Sequence, residues 1–334
     1  MFAEAIETIL AAQCSPAFVR DVEAGGSPGA LAAAIADAGF HELMAPEEAG
    51  GAGASWQDLF EVVLLCGAHA VPLPLAQTLA ARALVDEPQA LPAGLLTFAP
   101  ALTRDLDGSL HAFHVPMAKT AAHVIAADGD ELMLLSISDA HRLPSGIHAS
   151  LSESLRWPAG TGRPLVARNV GADRFHGIGA LLHAGLMAGA MKRAFDLTMA
   201  YANERVQFGK PIGKFQAIQH QLSVMAEHVA AARMAAEAAF ASGRALPSLA
   251  ACAAAKARTS EAAQLVASIA HAVHGAIGIT EEYDLQLCTR RLHEWRMAHG
   301  SEACWNRQLG RLVLASRAPS LVDFVRELFE ERAE

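Results

Sequence analysis

Apolar positions near the start of the chain recur at helical spacing. Leu31, Ile35 and Ala38 share one stripe that stops at Gly39. Pro46-Glu47-Glu48-Ala49-Gly50-Gly51-Ala52-Gly53 then reads as a loop. Ser55 stands as the N-cap of a helix carrying Leu59, Val62, Val63 and Cys66. Pro72 and Pro74 break that helix, and the pattern predicts another running to about Val85. Between 94 and 165 the period changes. Short apolar runs appear at Leu95-Leu96-Thr97-Phe98, His123-Val124-Ile125 and Leu132-Met133-Leu134-Leu135. Asp128-Gly129-Asp130 between two of them predicts a hairpin. From about 175 helices return. Ile218, Leu222, Met225 and Val229 form one stripe, and an Ala-rich helix follows Pro247. Gly185 and Gly189, a helical turn apart, let a neighbouring helix come close. Long helices on short loops imply an antiparallel bundle. The expected order is helices over 1–92, a small β region over 93–168 and a helical bundle over 169–334, with no internal repeat.

Composition narrows the classes. The chain is 52% hydrophobic and 18% charged, which favours buried helices over disorder. Aromatics make up only 6%, so small aliphatic side chains carry most of the packing. The net charge is −9 without a long run of one sign, so no nucleic-acid partner is expected. No apolar run reaches the roughly 20 residues that span a bilayer. The opening MFAEAIETIL lacks the basic region of a signal peptide. A cytoplasmic protein without a membrane partner is the expectation. The five cysteines are scattered without a C-x-x-C pair, which points to a reducing compartment and away from zinc. The histidines contain no H-E-x-x-H, and His293 and His299 are poorly spaced as helical ligands, so no metal is expected.

Two segments carry candidate chemistry. Tyr201-Ala202-Asn203-Glu204-Arg205-Val206-Gln207-Phe208-Gly209-Lys210-Pro211-Ile212, followed by Gly213-Lys214-Phe215-Gln216, is a helix end, a turn set by Gly209 and Pro211, and a new helix start. An arginine in such a turn can pair with a pyrophosphate, and an aromatic beside it can pack on a cofactor. The residues alone favour a solvated Glu204–Arg205 pair at a helix end. His271-Ala272-Val273-His274-Gly275-Ala276-Ile277-Gly278 is a glycine turn closing a helix, followed by Arg290-Arg291.

Together with Ala38-Gly39-Phe40 and Ala45-Pro46-Glu47-Glu48-Ala49-Gly50-Gly51, these segments resemble the acyl-CoA dehydrogenase family over most of 25–100 and 170–315. The resemblance implies a mainly α fold: an N-terminal helical domain, a reduced β-barrel-like middle domain and a C-terminal four-helix bundle. It implies FAD as cofactor. The family positions matching Arg205, Gln207, Phe208 and Gln216 touch the ADP half of an FAD seated mainly in the neighbouring subunit. Gly275 matches the place where backbone nears its pyrophosphate. Ala272 and Ala276 depart from the family's glutamine and second glycine.

The family reaction takes a proton from C2 of an acyl-CoA while C3 passes hydride to flavin, so it needs a carboxylate base. One family position for that base holds His299, in Arg296-Met297-Ala298-His299-Gly300-Ser301, and the other falls at Gly179. The flavin-side motif T-E-P-G-x-G-S-D has no counterpart between 90 and 165, and the region looks several strands short of a full flavin seat. What is kept is what a subunit lends to its neighbour's FAD. What is lost serves its own flavin and substrate. This pattern resembles the short, base-lacking subunits of heteromeric acyl-CoA dehydrogenases. It implies an oxidoreductase heterotetramer with a full-length paralogue, acting on an acyl-CoA, with steroid-type substrates by analogy. Two other readings stay open: a self-sufficient dehydrogenase using His299 as base, since imidazole titrates near neutrality, and a structural homo-oligomer without flavin.

Overall fold

The stripe at Leu31 and Ile35 is buried, and a left-handed Gly39 (φ 77°) ends it. The computed structural model describes residues 2–167, 170–242 and 245–329. Its first helices are α1 (Phe2–Gln13), α2 (Pro16–Glu23) and α3 (Gly29–Asp37). The glycine loop is one 3-10 turn, Glu47–Ala49. α4 (Trp56–Ala68) starts on a capping box. Asp58 N donates to Ser55 Oγ at 3.1 Å, and Ser55 N donates back to the Asp58 carboxylate at 2.9 Å. The Ser55 hydroxyl and amide bonds hold that carboxyl below its usual range. α5 (Leu75–Leu84) follows the two prolines. Its Thr78 Oγ1 accepts from Leu96 N at 2.9 Å, which ties the helix to the first strand.

Among the described residues eight strands follow: β1 (Leu96–Phe98), β2 (Thr103–Arg104), β3 (Leu110–Val115), β4 (His123–Asp128), β5 (Glu131–Ser136), β6 (His141–Pro144), β7 (Glu153–Trp157) and β8 (Arg163–Leu165). They form two open four-stranded sheets, ordered β1-β4-β5-β8 and β2-β3-β7-β6. The region is therefore not a closed barrel among the described residues. It holds more strands than its apolar runs announced: β2 and β6 are exposed along their length, and β3 and β7 alternate buried with more exposed positions instead of running apolar. The hairpin at Gly129 is as expected, with Asp128 paired to Glu131. Val124, Leu135, Leu110, Leu155 and Trp157 share one core drawn from both sheets. The Trp157 indole donates to Ser136 O at 2.7 Å.

By compactness the chain divides into Met1–Val63 with Val71–Leu182, and Leu64–Ala70 with His183–Glu334. The helical start and both sheets thus share the first unit, and α6 (Ala172–Glu204) runs out of it into the second. The second unit continues with a two-strand hairpin, β9 (Val206–Gln207) and β10 (Lys210–Pro211). Then come α7 (Gln216–Phe240), α8 (Leu249–His274), α9 (Leu285–Met297), α10 (Glu302–Ala315) and α11 (Leu321–Phe329). α8 is central: α7, α9 and α10 all pack on it. By length and composition the stretch Leu249–Ile279 is apolar enough to cross a membrane, and half of its most apolar window is buried. This corrects the expectation that no apolar stretch is long enough, which Lys256, Arg258 and Glu261 in this helix had suggested. The helices packed around it account for its apolar character. The close helix approach expected at the glycines occurs at Gly189. A Cβ there would lie 1.9 Å from Leu64 O, and one on Gly67 would lie 2.0 Å from Leu186 O.

Candidate functional site

The last turn of α6 closes with Arg205 N donating to Tyr201 O at 2.8 Å. The chain then reverses in two residues, with Gln207 opposite Lys210 and Val206 opposite Pro211. Phe208 (φ 51°) and Gly209 (φ 76°) are both left-handed, as the tightest hairpin turn requires. Glycine adopts this freely, whereas for phenylalanine it costs on the order of 1–3 kcal/mol. The strained turn holds the Phe208 ring out, 93% exposed. Ile212 N donates to Arg205 O at 2.8 Å, which folds the chain back toward α7.

Beside this hairpin lies a cavity of about 330 Å³ lined by Tyr201, Arg205, Gln207, Phe208, Ile212, Phe215, Ile218 and Val273. Three of the candidate residues, Arg205, Gln207 and Phe208, therefore meet in one place. Gln216 follows the lining residue Phe215 at the exposed start of α7, and Gly275 lies two residues beyond Val273. The two candidate segments, far apart in sequence, thus reach the same cavity through Val273. Among the described residues Arg205 has no carboxylate partner, so the solvated pair with Glu204 is not formed. Gly275 has φ 64° and ψ −142°, and no atom lies within 4 Å of where its Cβ would be. Its need for glycine is conformational, and the crowding expected from the sequence does not come from this chain. Tyr201, Ile212, Phe215 and Val273 were missed as lining residues. Tyr201 had a signal, since it sits one helical turn before Arg205. Ile218, first of the apolar stripe on α7, also lines the cavity.

The second candidate position is the turn between α9 and α10. His299 (φ 52°) is wholly buried, with its ring centroid 5.2 Å from that of His183 on α6. The Trp305 indole donates to His299 O at 2.8 Å. Arg296 and Glu302 form an ion pair that brackets the turn, and Arg296 holds the Glu302 carboxyl below its usual range. Below the turn lies a residue that the sequence reading passed over. Lys256 is fully buried in α8 and donates to Trp295 O at 2.7 Å and Arg296 O at 2.9 Å. Those are carbonyls of the last turn of α9, which have no helical donor of their own. Among the described residues no group of three histidine, cysteine or carboxylate side chains is placed to hold a metal ion.

Burial pushes the Lys256 ammonium down to about 7, against the attraction of Glu302. The unfolded chain keeps that proton up to the ordinary lysine value of 10.5. Between these values the unfolded state holds more protons, so this group makes stability rise with pH, by at most about 1.4 kcal/mol per unit. Below pH 7 both states are protonated and the dependence vanishes. Lys256→Met removes the titration and leaves two carbonyls without a donor. Denaturant unfolding at pH 7 and pH 9 should show the wild type gaining stability relative to the Met variant. Parallel curves would contradict this assignment.

A family model described as the acyl-CoA dehydrogenase C-terminal domain matches residues 173–314. Acyl-CoA dehydrogenase IpdE2 of Mycolicibacterium smegmatis is 32% identical over 304 residues, covering 87% of this chain and 90% of that protein. Among solved structures, a chain of the ChsE4-ChsE5 complex from Mycobacterium tuberculosis superposes with a TM-score of 0.80 at 20% identity, over 95% of this chain and 97% of that one. A chain of a Tcur3481-Tcur3483 steroid ACAD variant superposes with a TM-score of 0.80 at 25% identity, over 93% and 96%.

Proposed function

The chain belongs to the acyl-CoA dehydrogenase family, and on that premise we propose that it is the partner subunit of a heteromeric, FAD-dependent acyl-CoA dehydrogenase. In this reading it lends contacts to the ADP half of FAD at a subunit interface, while a full-length paralogue supplies the catalytic base. The observation that carries the reading is the single cavity where Arg205, Gln207 and Phe208 meet Val273 from the glycine-turn segment. The residues there fit a nucleotide. An unpaired guanidinium suits a pyrophosphate, Gln207 offers an amide, and Phe208 and Phe215 offer flat apolar faces. Gln216 and Gly275 follow the lining residues Phe215 and Val273 closely in sequence. Bound FAD would supply the hydride acceptor for α,β-dehydrogenation of an acyl-CoA.

A general base must touch the carbon it deprotonates. The His299 ring is enclosed on every side and sits against His183, which supports placing the base in the partner. Two of the similar structures are of two-component assemblies, one of them a steroid enzyme, which supports a paralogous partner and a bulky acyl chain. Co-expression with each full-length paralogue from the same genome, followed by native mass measurement, tests the reading. One pairing should give a tetramer of two chains of each kind that carries flavin. In that complex His299→Ala should leave turnover within a few-fold. A loss of about 10²–10⁴-fold, with flavin and assembly intact, would favour a self-sufficient enzyme with His299 as base.

A further inference from the structure

Behind the cavity wall sits an aromatic stack that joins the two cofactor-facing segments. The His274 ring lies flat against Tyr201, with centroids 4.5 Å apart and 23° between planes. Tyr283 packs against both rings, tilted at 5.1 Å from His274 and edge-on at 6.3 Å from Tyr201. Tyr201 itself lines the cavity, and its carbonyl receives the amide of Arg205. Whatever fixes the Tyr201 ring therefore fixes a wall of the cavity, one helical turn before its arginine. His274 is 4% exposed, and its Nδ1 bonds Ala270 O at 2.8 Å, which places the proton on Nδ1. Its Nε2 is buried with no hydrogen-bond partner among the described residues. The polar edge thus bonds only the ring's own helix, and the ring meets Tyr201 through its face. Burial pushes its pKa down, so the ring is neutral and stacks as an uncharged aromatic. The room for it comes from Gly278, where a Cβ would lie 2.8 Å from His274 Cβ.

We propose that His274 is a positioning residue for the nucleotide cavity, holding Tyr201 in place by stacking rather than by hydrogen bonding. The proposal rests on the reading that this cavity receives the ADP half of FAD. Its test uses the assembled complex with the full-length partner and follows FAD release by the rise in flavin fluorescence on dilution. Three variants are compared with wild type: His274→Phe, His274→Leu and Arg205→Ala. Phenylalanine keeps the flat face and removes the unpartnered buried nitrogen, so release should match wild type and melting should be unchanged or higher. Leucine fills space without a flat face, and release should be roughly three- to tenfold faster, the size of one or two lost aromatic contacts. If Phe releases FAD as fast as Leu, or Leu as slowly as wild type, the stacking role is overturned while the cavity assignment stands. If Arg205→Ala also leaves release unchanged, the cavity assignment falls and the proposal falls with it.

Discussion

Gly189→Ala should destabilise the chain by about 2–3 kcal/mol or more. Helix propensity alone predicts the opposite, a gain of about 1 kcal/mol for replacing a mid-helix glycine by alanine. Geometry decides between them. The new methyl would lie 1.9 Å from Leu64 O and 2.8 Å from Ala68 N. Both are backbone atoms of a helix, so no side chain can swing away. The two helices would have to part, and their apolar side chains would lose contact along the seam. Gly67 makes the same demand from the other side, against Leu186 O. Urea denaturation of the two proteins measures the difference. An alanine variant as stable as wild type would mean that this close approach is absent.

Arg205→Ala should weaken FAD binding in the assembled complex by about ten- to hundredfold, the worth of one charge-assisted hydrogen bond. The isolated chain should fold as before, because the side chain is exposed at a helix end and supports no core. Arg205→Lys should recover only part of the loss, since an ammonium lacks the planar fork that matches a pyrophosphate. Flavin content and dissociation for the three complexes give the comparison. Unchanged affinity in the alanine variant would reduce Arg205 to a surface charge.

Much of the fold could be read where local rules act alone. The stripe of Leu31 and Ile35, the cap at Ser55, the hairpin at Gly129 and the helix after Pro247 all stand where the pattern predicts. The exposed strands β2 and β6 could not be read, because an edge strand solvated on both faces has no hydrophobic alternation. The candidate site divides the same way. Arg205, Gln207 and Phe208 lie in one short segment, so their grouping is local. That Val273 joins them depends on how α8 packs, which no spacing within the segment reveals. The left-handed Phe208 was hidden as well, since propensity assigns such a backbone to glycine or asparagine. Lys256 was hidden most deeply. A lysine in an Ala-rich helix reads as a surface charge until the end of α9 is found resting on it.

The central claim is that this chain lends its residues to a flavin held mainly by another subunit. Its own sequence between 90 and 165 lacks the family's flavin-side motif, while its outward-facing turn keeps Arg205, Gln207 and Phe208. The most direct measurement is the visible flavin absorbance of the pure chain, alone and after mixing with the full-length paralogue and FAD. The account predicts a colourless protein alone and a yellow complex that keeps its flavin through gel filtration. A chain that emerges alone with a full complement of tightly held FAD would contradict it.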